Sequence, residues 1–345
     1  MKVIDSSGEH QQEDDWFGGF ANLDAFNDDE ATIEAAPAVS FHSTDLNEIM
    51  QRLNNRDPNW SQGQDYKLRT RLVESYMGSM ALCRGRRGYE LLEAGAIEAL
   101  IATLNEILSD LPEPKQNAES GSSFGDIIQL ARVSWGAIRD LGCGNAEIRA
   151  RTRQIGGMKL LADYLRRYDG VQWEEIDTIQ LRLITSIIGA MRNVTHSARE
   201  NTVELHQHRV SDLLIWRLVE GSSKPTTNLP DASHPFREAC FRAASTLINM
   251  AEKSEECARI YASNVLLIHM VVDVTGGVNK KTPVLHLGLL AILQMAKEHL
   301  PAKDFDPDWE AILNRERTRK LGAQWREEER KRANLLQRIV ADDGV

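Results

Sequence analysis

The residues best suited to chemistry in this chain do not fall into a catalytic pattern. The phosphate-binding GxxxxGK[ST] loop, a GxGxxG turn after a strand and the zinc-protease HExxH helix are missing from the sequence, and its one GxSxG match, GSSFG at Gly121–Gly125, ends a polar Pro/Gly/Ser stretch instead of following the strand that a hydrolase elbow needs. His206 and His208 stand two apart in a helical segment and therefore on different faces, so they do not share a metal. Cys83, Cys143, Cys240 and Cys257 form no CxxC pair and sit in apolar helical patterns, which reads as buried, reduced thiols. The chain reads as non-enzymatic, with no cofactor or metal expected.

What recurs instead is a set of columns. The segment GAMRNVTHSARENTVELHQHRVSDLLIWRL from Gly189 is echoed by GAIRDLGCGNAEIRARTRQIGGMKLLADYL from Gly136 and by STLINMAEKSEECARIYASNVLLIHMVVDV from Ser245. Laid over one another without a gap, the copies align Asp140 with Asn193 and Asn249, Glu147 with Glu200 and Glu256, and Leu161 with Leu214 and Met270. Amide, charge and apolar residue repeating together mark a helical unit that is stacked, and a stack presents a long binding surface. The glutamates open the following helix, where a carboxylate complements the N-terminal dipole, so that column is structural.

The elements that must position these columns follow from the same periodicity. A shorter copy runs through SYMGSMALCRGRRGYELLEAGAIEALIATL from Ser75, and a partial one, VLHLGLLAILQMAKEHL from Val284, puts Gln294 in the amide column. Pro112–Gly125 and Gly221–Phe236, dense in Pro, Gly, Ser and Asn, read as loops and lengthen the repeat spacing. Upstream, Leu46, Ile49, Met50 and Leu53 share one helical face, and Asp57-Pro58 restarts a helix with Asp57 as its N-cap. Downstream, Asp306-Pro307 opens a long helix with a charged middle, in which Glu327–Lys331 and Glu328–Arg332 pair at i,i+4.

Composition bounds the rest. With 345 residues, 42% of them hydrophobic, the chain can bury a large core, and the repeats favour one elongated domain over two compact ones. Residues 1–40 hold ten acids against Lys2, so they carry −9 of the net −10. The rest is near neutral and has no global basic field to recruit nucleic acid. No apolar run approaches the roughly 20 residues of a membrane span, and the acidic N-terminus is unlike a secretory signal. The expectation is a cytoplasmic protein, nuclear access left open, with protein partners and no direct membrane insertion. It divides into an acidic disordered tail (1–40), a repeat domain (41–300) and a charged C-terminal helix (301–345).

GAIRDLG and GAMRNVT resemble the signatures that end the third helix of armadillo repeats of the catenin and plakophilin type. LLEAGAIEALIATL from Leu91 is similar to the stretch that opens the second helix of that repeat. The resemblance covers roughly Tyr66 to Lys297. It implies an all-α, right-handed armadillo-like solenoid of about four to five repeats. It also implies that the third helices line a concave groove in which an Asn on each repeat holds the backbone of an extended peptide. By that match the groove residues are Asn193 and Asn249, with Asp140 and Gln294 as imperfect equivalents; Leu82 departs from the pattern. Family members that read basic import signals carry a Trp one turn earlier, where this chain has Gly136, Gly189, Ser245 and Leu290. Arg139 and Arg192 precede the column, and Arg242 lies two turns before it, so the groove would suit an acidic ligand. An Asn near a helix end also serves as a cap, and that reading stays open beside the groove role.

The tail carries its own pattern, EDDWFGGFANLDAFNDDE. Its DDWFGGF resembles acidic FGxF-type peptides that bind the ear domains of clathrin adaptors, with Asp14, Asp15, Phe17 and Phe20 at the matching positions and Trp16 between them. Gly19 departs from that pattern. Alternatively Trp16, Phe20 and Leu23, spaced i, i+4, i+7, fold back on the chain's own groove as an acidic plug and make it an autoinhibited regulator. Acids steer such a segment and rings anchor it in either case.

Overall fold

The computed structural model describes residues 46–55, 61–74, 86–114, 122–219, 235–275 and 283–315. All regular structure among them is helical. Two helices, α1 (Leu46–Asn54) and α2 (Gln62–Leu72), precede four three-helix repeats. The repeats comprise α3 (Arg86–Glu93), α4 (Ala96–Leu108) and α5 (Ser122–Gly142); α6 (Ala146–Gln154), α7 (Gly157–Arg166) and α8 (Thr178–Thr195); α9 (Arg199–Gln207), α10 (Val210–Val219) and α11 (Pro235–Lys253); and α12 (Glu255–Ala262), α13 (Val265–Thr275) and α14 (Pro283–His299).

Third helices stack on third helices in the order α2, α5, α8, α11, α14, and second helices stack in the order α1, α4, α7, α10, α13. This is an armadillo-like α-solenoid, with one core running its length. Leu161 and Leu214 are fully buried in it, whereas Met270, their partner in the last repeat, is half-buried. Trp135 meets Tyr164 edge to face, and the Tyr164 hydroxyl donates to the Leu104 carbonyl at 2.8 Å, tying α7 to α4. At the far end, residues 307–315 are helical and Trp309, 1% exposed, packs on Phe305 and on His269 of α13.

Local sequence sets the helix boundaries. Asn145, Asp177 and Ser254 each accept a backbone N–H three residues on, capping α6, α8 and α12. In the first three repeats the turn between first and second helices uses a left-handed residue, supplied by Gly95 (φ 79°), Gly156 (φ 84°) and, in the third repeat, Arg209 (φ 61°). Glu147, Glu200 and Glu256 lie in the first turns of α6, α9 and α12, at the positive ends of those helices.

α2 begins at Gln62, where Ser61 and Gln64 form a reciprocal capping box; Asp57 and Pro58, read as the start of a helix, lie outside the described residues. Two expectations shift. The segment read as loop to Gly125 is helical from Ser122, since Ile127, Ile128 and Ala131 extend the buried face of α5 toward its start. Likewise Pro235 and Phe236 belong to α11, where proline suits a first helical position. The tail 1–40 and the charged segment beyond 315 lie outside the described residues.

The tightest point of the third-helix stack is Gly288. A Cβ built there collides with the carbonyl oxygen of Ile248 on α11, which is backbone and cannot swing aside. Gly288→Ala is therefore expected to destabilise by about 1–3 kcal/mol through overpacking. A fall in the thermal midpoint checks it, and an unchanged midpoint contradicts the close approach.

Candidate functional site

The third-helix face carries every repeat-domain residue marked by sequence as a candidate. Asn193 and Asn249 have the same geometry. The Asn193 amide donates to the Arg139 carbonyl at 2.8 Å, and the Asn249 amide donates to the Arg192 carbonyl at 3.0 Å. Each asparagine thus reaches back to the preceding third helix and meets a carbonyl in its last turn, where backbone donors run out; the Arg192 carbonyl also accepts from the Thr195 hydroxyl at 3.0 Å. Asn193 is half-buried and Asn249 is 2% exposed, with its Oδ1 buried and unpaired. The ends of the column differ. Asp140 takes two hydrogen bonds from Arg139, at 2.7 and 3.0 Å, and exposed Gln294 donates to Glu298 at 2.8 Å.

The arginines converge on a glycine. A Cβ added at Gly189 of α8 would collide with the guanidinium of Arg242 from α11 and come within 3.0 Å of Arg139 Cδ from α5. Two neighbouring repeats therefore send arginine side chains over the position where import receptors would carry a Trp. Arg242 also pairs with Glu238 and donates to the Thr185 carbonyl at 3.2 Å. Arg192 lies over the Phe241 ring at 5.6 Å. Burial, then the nearby Arg242, lowers the Arg192 pKa to about 10, so it stays charged at neutral pH. Arg139 and Arg242 are shielded, at 14% and 9% side-chain exposure, while Arg182 on the same α8 is exposed.

Along this seam lie Arg139 and Arg242, paired with Asp140 and Glu238, together with Arg182 and Arg192 of α8. α8 contributes Arg182 and Arg192 and contains no acid. At its C-terminal end, the His196 pKa is pushed below the usual histidine range by burial and by Arg149, Arg192 and Lys253. At Gly136, the matching position one repeat earlier, a Cβ would meet nothing within 4 Å, so the seat over that glycine is open.

Sequence reasoning named Arg139, Arg192 and Arg242 without seeing that Arg139 and Arg242 share one seat, and it did not mark Gly189 as that seat. The readable signal was a glycine in place of a large aromatic with arginines on both adjoining repeats. Cys143 is half-buried, unlike the buried Cys240 and Cys257; burial pushes the Cys240 thiol up to about 12. Among the described residues no group of three or more His, Cys, Asp or Glu side chains could hold a metal ion, and no single helix is long and apolar enough to cross a membrane. A separate open cleft of about 460 Å³ lies between the α3–α4 turn and α6, lined by Glu93, Glu98, Glu147 and Arg151 among others, away from the third-helix face. Leu82 and the tail residues Asp14, Asp15, Trp16, Phe17 and Phe20 lie outside the described residues.

No family model matches the chain, and no curated protein matches it. Among solved structures it is similar to "Designed armadillo repeat protein YIII(Dq)4CqI", at 15% identity and TM-score 0.43, with 78% of this chain and 99% of that chain covered. It is also similar to "Designed armadillo repeat protein YIII(Dq.V1)4CPAF in complex with peptide (KR)4", at 18% identity and TM-score 0.43, with 79% and 99% covered. The fold assignment stands on the helix stacking described above.

The amide links generate a stability prediction. Asn193→Ala removes the side-chain donor that reaches the Arg139 carbonyl, and each of Asn193→Ala and Asn249→Ala is expected to cost about 1–2 kcal/mol. Gln294→Ala, which breaks one exposed contact, serves as the control and shifts the midpoint little. Urea unfolding followed by circular dichroism reads all three; equal midpoints for the asparagine variants and the control refute the link.

Proposed function

We propose that this protein is a non-enzymatic interaction scaffold that holds an extended acidic peptide along its third-helix face. The observation that carries this reading is the positive seam centred on Gly189, with Arg139 and Arg242 packed over it and Arg182 and Arg192 on a helix without acids. A ligand carboxylate meets guanidinium groups already oriented by Glu238, Asp140 and Phe241, so little side-chain entropy is lost on binding. Asn193, half-buried, retains an amide hydrogen and its Oδ1 lone pairs as hooks for a peptide backbone, whereas Asn249 is buried and serves the stack. Asp140 and Gln294 mark the two ends of the row.

The same reading excludes basic import signals as ligands, since like charges would face each other across the seam. The acidic tail, through Asp14, Asp15, Trp16, Phe17 and Phe20, is proposed to recruit a second partner of the clathrin-adaptor ear type, on the resemblance of its DDWFGGF segment. The scaffold is proposed to work in the cytoplasm, with access to the nucleus, through protein partners rather than nucleic acid.

Fluorescence anisotropy with a labelled ten-residue peptide rich in Asp and Glu tests the groove reading. Affinity is expected to fall steeply with added salt and at least tenfold in the double variant Arg182→Glu/Arg192→Glu, with an equally long Lys-rich peptide not bound. Equal binding of acidic and Lys-rich peptides, or an unaffected double variant, sinks the reading.

A further inference from the structure

We propose that the first ligand of the basic seam is this chain's own acidic segment, residues 13–30, so that the tail and any external acidic ligand exclude one another. The inference rests on the acidic-peptide reading above and adds its regulation. Charge is the first argument. Residues 1–40 carry −9, while the remainder of the chain is near neutral, so nothing in the body's total charge draws the tail to it. The seam around Gly189 brings Arg139 and Arg242 from two neighbouring helices onto α8, which adds Arg182 and Arg192 and has no acid of its own, against the carboxylates of Asp140 and Glu238.

Reach is the second argument. The described solenoid starts at Leu46, 26 residues after Phe20. A segment of that length spans at most about 90 Å. In the third-helix row α5 lies between α2 and α8, so the seam is two helix spacings from the N-terminal pair, or roughly 20 Å. A tether several times longer than its span holds a ligand at an effective concentration of up to about millimolar. A weak contact is then enough to keep the seam occupied.

Chemistry is the third argument. The segment alternates the two features that the third-helix face offers to a ligand. Asp14, Asp15, Asp28, Asp29 and Glu30 match the arginines, and Trp16, Phe17, Phe20 and Phe26 match apolar surface at the edges of the row, where Ile179 of α8 is 41% exposed and Leu287 of α14 is 47% exposed. The coupling is reciprocal: a groove ligand frees the tail for its own partner, and a tail partner opens the groove by the same factor.

The test uses full-length protein throughout. The probe is a fluorescent synthetic peptide of residues 13–30, titrated into wild type and into a variant carrying D14N, D15N, W16A, F17A and F20A. The variant is expected to bind the probe at least tenfold more tightly than wild type, with the gap closing when Arg182→Glu is added to both. Equal affinity for the two proteins overturns the tail-in-groove proposal while leaving the acidic-peptide groove intact. No binding to either protein overturns both. Sedimentation of wild type as a dimer beside a monomeric variant shows exchange between copies, and that outcome overturns the intramolecular contact.

Discussion

The arrangement depends on how third helices are joined end to end. A stacked helix has carbonyls in its last turn with no intrahelical donor, and burying that turn against the next repeat without partners would cost more than packing returns. In the two central junctions an asparagine supplies a donor across the stack: Asn193 reaches Arg139, and Asn249 reaches Arg192, whose carbonyl also accepts from the Thr195 hydroxyl of its own helix. At the last junction the same position on α11, Ile248, meets Gly288 instead, so closeness of backbone replaces the amide. Other carbonyls of these helix ends are met in the same spirit, by Arg149 at Gly142 and by Asn201 at Val194.

Once the carbonyl is taken from the residue that precedes the amide-column position of the previous repeat, that residue's side chain is held at the edge of the row. In the first two central repeats it is arginine, Arg139 and Arg192, and the loss of a side chain at Gly189 leaves room for Arg139 and Arg242 to lie side by side. Gathering guanidinium groups costs desolvation, visible in the lowered pKa of Arg192. Glu238, Asp140, the Thr185 carbonyl and the Phe241 ring offset that cost without cancelling the positive charge of α8. The scaffold and the binding seam are thus consequences of one packing solution.

Columns set by local rules were legible in the sequence. The glutamates of the first helices and the buried Leu161 and Leu214 each answer to a constraint within a few residues. The identity of the partner across a junction was not legible, because periodicity gives the face of a helix and not the atom opposite it. Asn193 and Asn249 were found as a column and given a ligand role, whereas the geometry uses one of their amide groups for the stack. The capping box of Ser61 and Gln64, which opens α2, was not read from the sequence, where attention went to Asp57. Polar composition hid the first turn of α5, since Ser122 to Gly125 read as loop until Ile127 and Ile128 are seen packed beneath it.

The central claim is that the arginine seam over Gly189 receives acidic ligands, and side-chain NMR reads it directly. Arginine Nε–H resonances of the full-length protein would be followed during titration with an Asp- and Glu-rich peptide. The account predicts saturable shifts at Arg139, Arg182, Arg192 and Arg242, with Arg151 in the cleft beside α6 unmoved. Shifts confined to Arg151 and its neighbours, or none at the seam when the peptide is bound, would contradict it.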